Sequence, residues 1–118
     1  RVAVPEELVR REDSFVLKVS GDSMQDDGIL DGDLVVIESR ASAESGETVV
    51  AVIDGEATIK RFHRESGGRV RLQPANERVA PILCDEASVE IRGVVVGLMR
   101  RYGMSRPARA AQEHGSAR

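Results

Sequence analysis

The chain has 118 residues, 17 Lys+Arg against 20 Asp+Glu, a net charge of −3, one cysteine, no tryptophan and the three aromatics Phe15, Phe62 and Tyr102. That length fits one domain with an aliphatic core, since 41% of the residues are apolar, and disorder of the whole chain is excluded. The acidic balance argues against a DNA-binding basic face, and no apolar run approaches the roughly 20 residues of a membrane span.

The opening residues do not read as a signal peptide, and none is expected. Residues 1–12 read as a linker with one helical turn at Pro5-Glu6-Glu7-Leu8, where proline at the first position and acids in the first turn are favourable. Phe15-Val16-Leu17-Lys18-Val19 alternates as a strand with Phe15, Leu17 and Val19 on one face. Ser20-Gly21-Asp22-Ser23-Met24 follows at once. It is either a polar turn or a turn whose flexible Gly21 exposes the Ser23 hydroxyl and aims successive N–H groups where a tetrahedral oxyanion would form.

Asp26-Asp27-Gly28-Ile29-Leu30-Asp31-Gly32-Asp33 is rich in acids, yet it fails the calcium-loop template in both registers. With Gly32 as the invariant glycine, Ile29 falls on a ligand position; with Gly28, Leu34 does. Turn chemistry is the better reading. Leu34–Ile37 is a short apolar strand. Thr48–Ile53 and Ala57–Phe62 flank Asp54-Gly55, a two-residue hairpin signal. Within the second of these strands Lys60 shares a face with Thr58 and Phe62. Lys60 is either a snorkelling surface lysine or one held against apolar neighbours. In the second case desolvation favours the neutral amine, which can serve as a general base toward a serine.

Gly67-Gly68 leads into the strand Arg69–Leu72, and Ser88–Met99 forms a last long strand whose Gly93 and Gly97 suggest a bulge or a close backbone approach. Residues 104–118, with three arginines and one glutamate, read as a disordered tail. Cys84 reads as a small buried hydrophobe, and a lone cysteine excludes a disulfide framework and a multi-cysteine zinc site. His63 and His114 are too few and too isolated for a His-rich metal site or a Ser-His-Asp triad. The pattern as a whole predicts an all-β domain of short, mostly antiparallel strands over residues 13–103, with no metal or cofactor.

Gly21-Asp22-Ser23-Met24, then Asp31-Gly32-Asp33-Leu34-Val35, then Gly55-Glu56-Ala57-Thr58-Ile59-Lys60-Arg61-Phe62 together resemble the catalytic domain of LexA-type repressors. These belong to the S24 self-cleaving peptidases, which share the LexA/signal-peptidase-like fold. The resemblance extends to Gly46–Ala51, Leu72–Asn76 and Gly93–Gly97. It implies a Ser-Lys dyad with Ser23 as nucleophile and Lys60 as base, and an oxyanion hole from the backbone N–H of Ser23, helped by that of Met24. Met24 itself reads as packing beside the nucleophile.

The family's substrate is its own chain, cut at an Ala-Gly or Cys-Gly bond upstream of the serine. Neither dipeptide occurs here, so the expectation is a protease domain beginning beyond its scissile bond. The resemblance further implies a cytoplasmic repressor of the SOS DNA-damage response, a homodimer, and stimulation by the RecA–single-stranded DNA filament. Operator DNA would be read only through an N-terminal helix-turn-helix domain absent from this sequence, and no membrane is involved. The segment Ile91–Met99 is the expected dimer edge, with a central core strand as its alternative. Rivals are an UmuD-like processed subunit of a translesion polymerase, a phage-type repressor, and a signal-peptidase-like enzyme acting on other proteins.

Overall fold

The alternation in Ser14–Val19 becomes the first strand, β1, which ends at the turn carrying Ser23. The computed structural model describes residues 13–100 and the backbone of 115–117. The expected helical turn at Pro5–Leu8, the linker 1–12 and most of the tail lie outside the described residues.

After β1 come β2 (Leu34–Ser39), β3 (Thr48–Ile53), β4 (Glu56–Glu65), β5 (Arg69–Gln73), β6 (Ile82–Asp85), β7 (Glu90–Met99) and β8 (Gly115–Ala117). They form one sheet in the order β6-β5-β4-β3-β7-β2-β1-β8. Every pairing is antiparallel except that of β8, which runs parallel to β1. The all-β expectation holds. The β3–β4 hairpin turns on Asp54 (φ 53°) and Gly55 (φ 81°), two consecutive left-handed residues, as the tight turn favoured by strand twist requires.

Three expectations need correction. The sequence pattern missed β6, the strand Ile82–Asp85, whose four residues between Pro81 and the turn at Glu86 are too few to show an alternation. The tail was expected to be disordered, yet Gly115–Ala117 forms a strand on the outer edge of β1. The segment Ile91–Met99 was expected to be an edge, yet β7 stands inside the sheet between β3 and β2. Its first half pairs with β3 and its second half with β2, overlapping at Gly93 and Val94. Among the described residues, Val95–Met99 pair on the β2 side alone.

The change of partner along β7 is what curls the sheet, and each ladder carries an irregularity there, at Val36/Ile37 and at Val50/Ala51. The expected close approach falls on Gly93. A Cβ at this position would stand 2.5 Å from the Glu38 carbonyl oxygen and 2.5 Å from Ile37 Cγ2.

Curling divides the core in two. One cluster gathers Val19, Met24, Ile29, Val35, Ile37, Val50 and Ile59. The other gathers Ala43, Val49, Ala51, Phe62, Val70, Leu72 and Val94. Alternation sends Val50 to the first cluster and its neighbours Val49 and Ala51 to the second, so β3 is buried on both faces. Met24 and Ile59, the chain neighbours of Ser23 and Lys60, belong to the first cluster, while Lys60 itself shares the face of its cross-strand partner Val49, a member of the second.

Candidate active site

Ser23 follows β1 by four residues, in a turn made possible by Gly21 at φ 90°. A Cβ residue is strained in that region, which only glycine enters freely. The Gly21 N–H donates to Asp31 Oδ1 at 2.7 Å. Met24, only 2% exposed, anchors the turn in the core as expected. Behind it, Gln25–Asp27 forms one turn of 3-10 helix closed by Gly28 in the left-handed conformation.

A second loop holds the turn from the side. The Ala75 N–H donates to the Ser23 carbonyl at 2.8 Å and the Asp26 N–H donates to the Ala75 carbonyl at 2.8 Å. Asn76 Nδ2 donates to the Asp22 carbonyl at 2.8 Å. The carbonyls of Asp22 and Ser23 are thus both engaged. Their amides differ: among the described residues, the N–H groups of Ser23 and Met24 donate no hydrogen bond, which leaves both available to an incoming oxygen.

Lys60 arrives from the middle of β4 and is 4% exposed. Its cross-strand neighbour is the fully buried Val49. The snorkelling alternative therefore does not apply. Lys60 Nζ stands 3.1 Å from Ser23 Oγ and 2.6 Å from Thr58 Oγ1, two residues back on the same side of the strand. Burial lowers the pKa of this amine below the ordinary lysine value, because the apolar surroundings penalise the ammonium.

The acids of residues 26–33 serve the loops around the site. Asp27 pairs with Arg61 at 2.6 Å. Asp33, 3% exposed, takes Arg100 Nε on Oδ1 at 2.8 Å, and on Oδ2 both Arg100 Nη2 at 2.7 Å and the Leu30 N–H at 2.7 Å. Cys84 lies on β6, half-buried rather than buried. Burial raises its thiol pKa, which works against a reactive thiolate.

Sequence reasoning singled out Ser23, Lys60 and Met24, and the fold brings all three together. It missed Thr58, Asn76 and Asp31 as supports. Asn76 closes Pro74-Ala75-Asn76, a turn-forming cluster whose partner no local pattern reveals.

The Peptidase S24-like family profile matches residues 1–96 of the chain. The chain belongs to the S24-like peptidases. Relatives named LexA repressor are 50% identical over 102 residues in Syntrophotalea carbinolica, covering 86% of this chain and 50% of that protein. In Clostridium novyi the identity is 52% over 91 residues, covering 77% and 44%. In Corynebacterium glutamicum it is 51% over 98 residues, covering 83% and 41%. This S24 domain therefore spans about half the length of the curated relatives it matches, and its likeness to LexA-type repressors is established at the level of sequence.

Proposed function

We propose that this S24 domain cuts a peptide bond with Ser23 as nucleophile and Lys60 as general base. The observation that carries the reading is the 3.1 Å approach of Lys60 Nζ to Ser23 Oγ at a buried amine. A neutral amine has two N–H groups and one lone pair. Donating one N–H to Thr58 Oγ1 leaves the lone pair to accept the Ser23 hydroxyl proton.

As that proton moves to Nζ, Oγ attacks the scissile carbonyl carbon, and the carbonyl π electrons move onto oxygen. The N–H groups of Ser23 and Met24 donate to this oxyanion. Collapse breaks the C–N bond, and the Lys60 ammonium returns the proton to the leaving amine. Water then hydrolyses the acyl-enzyme with Lys60 again as base.

The resemblance and the relatives named LexA repressor favour a self-cleaving repressor of the SOS response over a polymerase subunit. In that role the bond cut is an upstream Ala-Gly, cleavage is stimulated by the RecA–single-stranded DNA filament, operator DNA is read by a separate helix-turn-helix domain, and the protein works in the cytoplasm. The domain pairs with a second copy through the Val95–Met99 side of β7. The test is cleavage in trans of a peptide carrying an Ala-Gly bond by the parent chain, Ser23→Ala and Lys60→Ala. Both variants are expected to be inactive, and a variant that cuts as fast as the parent removes the dyad.

A further inference from the structure

The strand that leads into Ser23 has an occupied outer edge. β8 pairs parallel with β1, with Gly115 opposite Leu17, Ser116 opposite Lys18 and Ala117 opposite Val19. It also lies against β4, the strand that bears Lys60. β1 and β4 share one core cluster through Val19 and Ile59. Residues 115–117 therefore run beside both the strand that leads into Ser23 and the strand that bears Lys60.

Direction matters here. A serine peptidase attacks the carbonyl of the last residue on the acyl side of its substrate, so that half of the peptide must approach with its carboxyl end toward the nucleophile. A strand parallel to β1 has this polarity, because β1 itself runs toward the Ser23 turn. The ladder also fixes which backbone groups are used. Val19 donates its N–H to the Asp33 carbonyl and accepts from the Gly32 N–H, so Val19 faces β2. Successive residues of a strand point their backbone groups to opposite sides. The N–H and C=O of Lys18 accordingly face β8.

The same registers show that the tail reaches this edge within one molecule. Met99 stands opposite Leu34, Leu34 opposite Lys18, and Lys18 opposite Ser116. Three strand spacings separate Met99 from Ser116, roughly 14 Å. The residues between them exceed that span several times over.

We propose that Gly115–Ala117 of this chain occupies the edge of β1 where the acyl half of a substrate peptide would lie, and competes with that substrate. The proposal rests on the Ser23–Lys60 reading, and its test separates the two. Prolines at positions 116 and 117 remove two N–H groups and cannot sustain a ladder, and neither position belongs to the dyad.

The 118-residue parent chain and S116P/A117P are compared in two measurements. The first is hydrogen exchange at Lys18, with the Val19 amide as the internal control, in a Ser23→Ala background so that cleavage plays no part. The second is the kinetics of an Ala-Gly peptide added in trans. Faster exchange at Lys18 with Val19 unchanged, and a KM lower by roughly fivefold at constant kcat, are expected when most molecules carry a seated tail. Equal exchange at Lys18 in both chains overturns the proposal whatever the activity. Protection of Lys18 that grows with protein concentration overturns it too, because the strand then comes from a second copy. Faster exchange at Lys18 together with no cleavage of the peptide by either Ser23-bearing chain supports the seat and removes the dyad reading instead.

Discussion

Asn76 donates a 2.8 Å hydrogen bond through Nδ2 to the carbonyl oxygen of Asp22, joining the loop after β5 to the Ser23 turn across 54 residues of sequence. Its Oδ1 meanwhile accepts the Arg78 N–H at 2.9 Å, so the side chain braces both loops. The Asp22 carbonyl also accepts the Gln25 N–H at 3.2 Å, so Asn76→Ala removes one of two donors. A stability loss of about 1 kcal/mol is expected in urea unfolding. The larger effect should fall on kcat, since Ser23 Oγ then wanders from Lys60, with KM little changed. A variant with parental kcat would show that Asn76 does not position the nucleophile.

Activity should rise with pH through the folded-state pKa of Lys60, which burial places below the ordinary value. Only the neutral amine accepts the serine proton. Stability carries the same sign. Between the folded and unfolded pKa values the unfolded chain binds the extra proton, so stability climbs with pH across that window and levels off above the unfolded value near ~10.4. Lys60→Met keeps the stem and discards the amine. It should abolish cleavage by roughly a thousandfold or more, raise stability at neutral pH, and flatten the climb. A variant less stable than the parent at pH 7 would show that the amine is not a burden to the fold.

The strands of this fold were legible wherever they alternate or carry a turn signal, as at Phe15–Val19 and around Asp54-Gly55. Lys60 had two readings in the sequence, because a lysine in a strand is as readily solvated as buried. The hairpin register sets Val49 opposite it, but only the arrival of the Ser23 turn, 37 residues away in sequence, decides between them. The interior place of β7 was hidden for a related reason: a strand shared by two neighbours over different halves looks, residue by residue, like an apolar edge. β6 and β8 are short segments that owe their structure to a partner strand, and no local periodicity announces them.

Asp33 closes the loop that follows the nucleophile by taking Arg100 on both oxygens and the Leu30 N–H on one of them. Asp33→Asn keeps an acceptor for the Leu30 N–H and loses the ion pair. Asp33→Ala loses both and leaves the Leu30 N–H without its carboxylate. A further loss of about 1–3 kcal/mol is expected for alanine relative to asparagine. Equal unfolding midpoints for the two variants would show that the bond to Leu30 contributes nothing.

Gly93 is shared by three strands, β3, β7 and β2. In Gly93→Ala the new methyl meets a backbone carbonyl oxygen at 2.5 Å as well as Ile37 Cγ2, and the carbonyl cannot rotate away as a side-chain tip can. Overpacking of this kind costs about 1–3 kcal/mol. The urea midpoint should fall accordingly, while Ser23 and Lys60, on other elements, keep their geometry. A variant as stable as the parent would mean that β2 and β7 separate without cost.

The proposed pairing of two copies rests on the second half of β7. Val96 is 36% exposed and Leu98 43% exposed, two residues apart and so on one face of the strand. Among the described residues, Val95–Met99 take partners from β2 alone, which leaves backbone groups on the other side for a second strand. A two-fold axis places the same residues on both sides of such an interface, so one substitution acts twice. Leu98→Glu sets like charges close together and removes apolar area from each partner. Sedimentation should shift from dimer to monomer, with a dissociation constant at least about tenfold higher, a change of about 1.4 kcal/mol. Because Leu98 packs in neither core cluster, the urea midpoint measured on the monomer should stay unchanged. A parent chain that sediments as a monomer at high concentration, or a Leu98→Glu chain that stays dimeric, would move the interface elsewhere on the domain.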